Sequence, residues 1–186
     1  MRSEKNRIAL SGASRNAQKA LDAVSSADLE HVHDDDKTAW AMAALIHCDV
    51  CRLVVSFDEC QVEGVARLLC LADVASKLFE ARNWYNNAGT KLLIKIAERN
   101  SVAVEPFKKQ IEQLKNTHQI HRVNKYENYR NKVGYHYDAK AITYLQGFGG
   151  EDSDHFFDVL TEFVRFSGSW AQLTKDLIQN ASTNSA

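Results

Sequence analysis

The scarcity of turn-forming residues constrains the fold of this chain more than any other feature. The 186 residues include one proline, Pro106, and eight glycines. Sheet proteins need frequent turns, which draw on glycine, proline and Asn-Gly or Asp-Gly pairs, and the sequence contains neither pair. Apolar residues recur instead at spacings of three and four, which is the period of a helix. The chain is therefore predicted to be all-α.

Length and periodicity together predict one antiparallel bundle of five to seven helices. A chain of this size forms a single domain by default, which we place at residues 1–179, followed by a polar C-terminal tail at 180–186. The expected elements include an alanine-rich helix at 13–24 and a helix at 37–57 that is apolar nearly all round. A helix at 61–83 should end in a loop at 83–89, with Gly89 as the stop and Thr90 as the cap of the next helix. A basic helix should follow, with Pro106 in its first turn.

Charge and cysteine usage exclude several protein classes. Lysine and arginine number 23 against 24 aspartates and glutamates, a net charge of -1, which excludes a globally basic protein that wraps nucleic acid. Four cysteines without a framework pattern favour a reducing compartment. The N-terminal segment lacks the apolar run of a signal peptide, and charged residues interrupt the most apolar stretch, 40–57. We therefore expect a cytoplasmic protein with no membrane partner.

Two groups of residues have the composition of metal sites. Cys48 and Cys51 have C-x-x-C spacing, but they fall within an apolar helix, and no second pair completes a tetrahedral zinc site. His31 and His33 precede three aspartates at 34–36, a pattern that fits a divalent ion and equally an acidic helix start. We expect neither group to hold a metal, and no cofactor is predicted.

The segment from Glu105 to Lys132 is locally basic. It carries seven lysines and arginines against three glutamates, a local charge of +4. Such a surface attracts phosphates, and Tyr126 and Tyr129 would stack bases if they were exposed. A solvated helix face with its tyrosines turned to the core explains the same pattern. The apolar spacing slips before Tyr126, which predicts a kink or break near residues 123–124.

A short motif ends this segment. The stretch YRNKVGYHYD at 129–138 resembles the signature of the HEPN superfamily (higher eukaryotes and prokaryotes nucleotide-binding domains). In that signature an arginine is usually followed by Asn, Asp or His, and a histidine comes after four to six intervening residues. Arg130, Asn131 and His136 fit, with five residues between the arginine and the histidine. HEPN domains are small helical bundles with the motif late in the chain, so the resemblance implies a HEPN-like bundle here.

The resemblance also implies a metal-independent endoribonuclease that cleaves RNA through its own 2′-hydroxyl. The residue types suit that chemistry, since His136 can exchange protons near neutral pH and Arg130 can direct two N–H donors onto phosphate oxygens. Asn131 would orient the imidazole or hold a phosphate oxygen. The residues expected to contact RNA beside this catalytic group are Lys125, Lys132 and Tyr137.

Helix geometry restricts how one motif reaches one phosphate. Six positions on a straight helix rotate by about 600°, which leaves Arg130 and His136 about 120° apart. Either Gly134 distorts the helix and turns His136 back, or a two-fold dimer places two motifs in one cleft. The resemblance implies the homodimer, which we expect with Gly134 contributing.

Roles in toxin–antitoxin or anti-phage systems, with an antitoxin or other regulatory protein as partner, come only from the resemblance. A toxin branch of the family carries a modified tyrosine two residues after the histidine, where this chain has Asp138. Regulation by that modification is therefore in doubt.

A non-catalytic helical module is the alternative prediction. It would be a HEPN relative that binds a nucleotide or a partner protein, and the near-neutral charge and the lack of a second catalytic signature favour it. The placement of two side chains separates the two hypotheses. Arg130 and His136 together in an open cleft would support the enzyme, whereas a buried His136 bonded to backbone carbonyls would support the module.

Overall fold

The computed structural model describes residues 2–26, 32–60, 65–131 and 150–184. The regular structure in these ranges is entirely helical, which confirms the all-α prediction. The helices of ten residues or more are α1 (Arg2–Val24), α2 (Asp34–Glu59), α3 (Val65–Trp84), α4 (Thr90–Arg99), α5 (Val104–Thr117) and α6 (Gly150–Asn184). A π-helical turn, Tyr85–Gly89, joins α3 to α4, and a 3-10 helix, Ile120–Tyr126, follows α5 and leads into one α-helical turn, Glu127–Tyr129.

The core lies where α2 and α6 pack together, with α3, the π turn and the 3-10 helix closing around them. Tyr85 is fully buried, and its ring meets Phe166 edge-on at a centroid distance of 4.8 Å. Phe57 meets Phe156 in the same way at 5.1 Å. These edge-to-face arrangements are among those that aromatic pairs prefer, so the core has a defined packing rather than only an apolar composition.

α2 contains the stretch 40–57, the most apolar of the sequence. Among the described helices it alone is long and apolar enough to cross a membrane. Half of its most apolar window is buried inside the protein, and it also carries an ion pair between Arg52 and Asp49 at 2.7 Å. Because the central helix of a folded core passes the same test, this is weak support for a membrane span.

Small side chains form the contact between α1 and α2. Ala17 and Ala20 of α1 pack against Ala41 and Ala44 of α2. The alanine side chain is a single methyl group, so these two helices meet along a seam of small residues. We call this contact the alanine seam. It confirms the alanine-rich helix predicted at 13–24, which the structure extends toward the N-terminus.

The acidic start of α2 serves a structural role. The His33 Nδ1 atom accepts a hydrogen bond from the Asp35 backbone N–H at 3.2 Å and so caps the helix. The Asp35 carboxylate lies 2.6 Å from the Lys95 ammonium, and the hydrogen bond with Lys95 holds the pKa of Asp35 below its usual value. Asp36 pairs with Arg99. These contacts tie α2 to α4, and His31 lies outside the described residues.

The connection between α3 and α4 is not the loop that the sequence predicts. The chain stays helical through the π turn, and Gly89 has a helical φ of -61°. The Thr90 hydroxyl donates to the Tyr85 carbonyl at 2.6 Å instead of capping α4. A Cβ atom on Gly89 would lie 2.6 Å from the Trp84 ring. Glycine is therefore needed for close packing, and the prediction of a stop at this position was wrong.

Two other boundary predictions are confirmed. Pro106 lies in the first turn of α5, where its missing N–H breaks no helical hydrogen bond. The predicted interruption near 123–124 is the 3-10 helix, which begins after Gln119 adopts a left-handed φ of 47°. The last helix, α6, continues to Asn184, into the segment that the sequence predicts as a polar tail.

Candidate functional site

The structure describes part of the predicted catalytic motif. Arg130 and Asn131 directly follow the Glu127–Tyr129 turn, and Lys125 is exposed on the 3-10 helix before it. The other predicted site residues lie outside the described residues, and these are Lys132, His136 and Tyr137.

Arg130 is held in place by contacts with α3. Its Nη2 atom lies 3.0 Å from a carboxylate oxygen of Glu80, and its guanidinium carbon lies 5.2 Å from the centre of the Phe79 ring. The Arg130 side chain remains 24% exposed and that of Glu80 56% exposed. The guanidinium thus packs against the Phe79 ring and remains partly accessible to solvent. The Glu80 carboxylate occupies a position that an anionic ligand would take.

Asn131 lies beside the same guanidinium. The Arg130 Nη1 atom donates to the Asn131 amide oxygen at 3.3 Å. An asparagine side chain has one carbonyl acceptor and an NH₂ group with two donors. Because the carbonyl faces Arg130, the NH₂ group remains available to a phosphate oxygen or an imidazole nitrogen. The pair therefore presents positive charge and an additional donor at one place.

A partly buried hydrogen-bond network supports the 3-10 helix from α6. The Arg122 Nη2 atom lies 2.9 Å from His155 Nε2, and the Tyr126 hydroxyl lies 2.5 Å from His155 Nδ1. Arginine only donates hydrogen bonds, so Nε2 accepts and Nδ1 carries the proton that is donated to the Tyr126 oxygen. These contacts fit a neutral imidazole in a single tautomer. His155 was not identified from the sequence, because its partners lie 29 and 33 residues away.

Burial of Tyr126 decides between the two interpretations of the basic segment at that position. The residue is 1% exposed, and its ring packs edge-on against Phe156 at 4.6 Å. It cannot stack a base, so the core-facing interpretation is correct for Tyr126. Tyr129 is half-buried and packs against the same core.

Two of the three glutamates already counted in the local charge of +4 pair with lysines of the same segment. Lys108 pairs with Glu105 at 2.7 Å, and Lys115 is buried beside Glu112 at 2.8 Å. In the described part of this segment, the exposed lysines that make no ion pair with described residues are Lys109 and Lys125. In the described part of the segment, these two unpaired ammonium groups lie on separate elements, Lys109 on α5 and Lys125 on the 3-10 helix.

The C-x-x-C pair lies where a thiolate is disfavoured. Burial raises the pKa of Cys51 to about 11 and also raises the pKa of Cys48. The Cys51 sulfur is 3.8 Å from His47 Nε2, in the range of a weak hydrogen bond. Across the four described ranges, no three His, Cys, Asp or Glu side chains form a group that could hold a metal ion.

A contact between a histidine and a carboxylate links the end of α5 to α6. The His118 Nδ1 atom lies 3.2 Å from a Glu162 oxygen, and Arg165 contacts the same carboxylate. The hydrogen bond with His118 lowers the pKa of Glu162, and Arg165 adds to this effect.

Comparisons of the chain with protein-family models, with curated proteins and with solved structures find no match.

Proposed function

We propose that the protein is a metal-independent endoribonuclease that uses Arg130, Asn131 and His136. The observation that carries the proposal is the paired arrangement of Arg130 and Asn131, in which a cation and an amide meet at 3.3 Å. The resemblance of the motif to the HEPN signature supplies the reaction class. In the described part of the basic segment the unpaired lysines lie on two separate elements, which suits an enzyme that binds one phosphate better than one that binds a long stretch of RNA.

Arg130 would stabilise the negative charge that develops on the phosphorane during cleavage. A guanidinium that is already positioned pays little to reorganise at the moment of reaction. Its partner in the free protein, Glu80, is more than half exposed, and surface ion pairs of this kind contribute about 0–1 kcal/mol. A phosphate could therefore replace the carboxylate, since it offers two oxygens to the same fork of donors.

His136 would move the protons. An imidazole with a pKa of about 6.5 in model peptides can accept the proton of the 2′-hydroxyl or donate one to the departing 5′-oxygen. The NH₂ group of Asn131 is available to orient that imidazole or to hold a non-bridging oxygen. The arrangement needs no metal, because the arginine supplies the positive charge.

The active unit would be a homodimer in which two motifs share one cleft. A single straight helix separates Arg130 and His136 by about 120°, and a second copy removes that restriction. The partners implied are RNA, a second copy of the chain and an antitoxin or other regulatory protein. Lys125, Lys132 and Tyr137 would contact the RNA beside the scissile phosphate.

A cleavage assay with four variants tests the proposal. Labelled RNA is incubated with the protein in EDTA, and the products are analysed for 2′,3′-cyclic phosphate ends. We expect His136→Ala and Arg130→Ala to lose at least about a hundredfold in rate, the scale of general acid–base catalysis. His121→Ala and Arg52→Ala are matched controls, since His121 is an exposed histidine outside the motif and Arg52 also pairs with a surface carboxylate.

The controls should cleave like the wild type, and an RNA with a 2′-deoxy residue at the cut site should stay intact. Equal cleavage by the wild type and both motif variants would show a contaminating nuclease and refute the proposal. No cleavage of a varied RNA mixture by the dimeric wild type would also refute it.

The Arg130–Glu80 ion pair favours the alternative of a non-catalytic helical module. In that case the arginine would fix the end of the basic segment to α3, and the protein would bind a nucleotide or a partner protein without cutting RNA. Glu80→Gln separates the two functions. Releasing Arg130 should strengthen phosphate binding in the enzyme, whereas in the module it should only lower stability.

A further inference from the structure

A cavity of about 230 Å³ lies among α1, α2 and α6, and neither Arg130 nor Asn131 is part of its described lining. Trp40 and His47 from α2 form part of its wall, and Gly168 from α6 lies beside them. Lys19 of α1 and Lys175 of α6 also line it. The cavity therefore combines an indole, an imidazole and two ammonium groups from three separate helices.

The two lysines give the cavity a net positive charge. Both side chains are exposed, and neither makes an ion pair or a hydrogen bond with any described residue. No aspartate or glutamate is part of the described lining. Lys95, by contrast, is paired with Asp35. An anionic group in this cavity would meet two cations and no competing acid.

His47 contributes a neutral, flat wall rather than a charge. Its Nδ1 atom lies 2.9 Å from the Ser167 hydroxyl, which itself donates to the Val164 carbonyl at 3.0 Å. The hydroxyl proton is thus engaged, so Nδ1–H donates to Ser167 and Nε2 faces the Cys51 sulfur at 3.8 Å. Burial also lowers the pKa of His47, which agrees with a neutral ring.

Gly168 allows α6 to approach this imidazole closely. A Cβ atom at Gly168 would lie 3.2 Å from His47 Cε1 and 3.6 Å from its Nε2. A side chain here would press on the His47 ring, and both residues line the cavity. Glycine within a helix costs stability relative to alanine. At this position glycine permits the close contact between α6 and the imidazole.

We propose that this cavity binds a small aromatic carboxylate of a single ring. The ring would lie in the space bounded by Trp40, His47 and Gly168, and the ammonium groups of Lys19 and Lys175 would reach the carboxylate. The size agrees, because the cavity is smaller than the roughly 300–1,000 Å³ that holds drug-sized ligands. The proposal does not depend on the nuclease motif, since the described cavity lining contains neither Arg130 nor Asn131.

Isothermal titration of the full chain with benzoate tests the proposal directly. Benzamide is the neutral probe of nearly the same shape, and acetate carries the charge without the ring. We expect saturable benzoate binding with one site for each chain, and at least tenfold weaker binding of both other probes. Absence of saturable benzoate binding up to 10 mM, or equal binding of benzamide or of acetate, would overturn the proposal.

Variants then locate the binding site. The double variant Lys19→Gln with Lys175→Gln should weaken benzoate binding at least tenfold, while Lys91→Gln with Lys109→Gln, which removes the same charge from exposed lysines elsewhere, should not. Gly168→Ala adds only one carbon beside His47 and should also weaken binding while the helical circular dichroism is kept. Unchanged affinity in both the double variant and Gly168→Ala would overturn the proposal, even if benzoate binds elsewhere.

Discussion

Replacing three helical glycines by alanine, one at a time, distinguishes the effect of local packing on stability from the effect of helix propensity. Gly12 has no atom within 4 Å of an ideal Cβ position, apart from its own helix backbone. At Gly168 the same Cβ meets His47 at 3.2 Å, and at Gly89 it meets the Trp84 ring at 2.6 Å. The chemical change is identical in the three variants, so differences among them report local packing.

The expected magnitudes follow from two opposing effects. Alanine gains about 0.8–1.0 kcal/mol over glycine in a helix interior, and overpacking a dense region costs about 1–3 kcal/mol. The Trp84 ring has little freedom to move, because it packs 5.2 Å from Tyr85 and 6.4 Å from Trp170, both fully buried. Gly12→Ala should therefore raise the free energy of unfolding by about 1 kcal/mol, and Gly89→Ala should lower it by up to about 2 kcal/mol.

Urea unfolding followed by circular dichroism at about 222 nm measures these differences, with Gly168→Ala expected between the other two. In thermal unfolding, 1 kcal/mol corresponds to about 2–4 °C for a chain of this length. The Gly12→Ala and Gly89→Ala variants should then differ in Tm by roughly 2–12 °C. If Gly89→Ala proves as stable as Gly12→Ala, the close contact with Trp84 is refuted.

Three further predictions concern buried polar groups. Burial lowers the pKa of His47, so the unfolded chain takes up more protons than the folded chain as the pH falls through about 6.5, and stability decreases. Between pH 7.5 and 5.5 the free energy of unfolding should therefore fall less in His47→Gln than in the wild type. An equal fall in both proteins would contradict this. Tyr126→Phe removes the hydrogen bond to His155 and should cost about 0.5–1.5 kcal/mol in urea unfolding, whereas an unchanged midpoint would argue against the network. Cys51, with a pKa of about 11, should be roughly one part in a thousand thiolate at pH 8. A thiol reagent such as DTNB should therefore detect the same number of fast-reacting thiols in Cys51→Ser as in the wild type. One fast-reacting thiol fewer in the variant would refute the low reactivity of Cys51.

Local sequence signals predicted the helices better than their connections. The apolar content of α2 indicated a central helix, because burial on all sides requires apolar residues on all sides. The slip in spacing before Tyr126 indicated the interruption that became the 3-10 helix. The connection at Gly89 was predicted wrongly because glycine signals a helix stop only through local propensity. Its actual requirement is contact with the Trp84 ring, which composition does not reveal.

The candidate site could be predicted only where its residues are neighbours in the chain. The motif placed Arg130 beside Asn131, and the structure brings their side chains together. The partnership of Arg130 with Glu80 joins residues 50 positions apart, and periodicity does not specify which residues of two helices meet. His155 and the cavity beside Trp40 were missed for the same reason, since their surroundings come from distant helices.

The alanine seam also affects how a small molecule would reach the cavity. Among the described elements, every extensive contact of α1 is with α2. Alanine side chains bury little apolar area, so α1 is held less firmly than the helices of the aromatic core. Segments of this kind detach at a lower free energy than global unfolding requires. Because Lys19 of α1 forms one side of the cavity, transient detachment of α1 would widen access while α2 and α6 remain packed. The amide hydrogens of α1 should accordingly exchange with deuterium before those of α6, and the bound acid should slow that exchange.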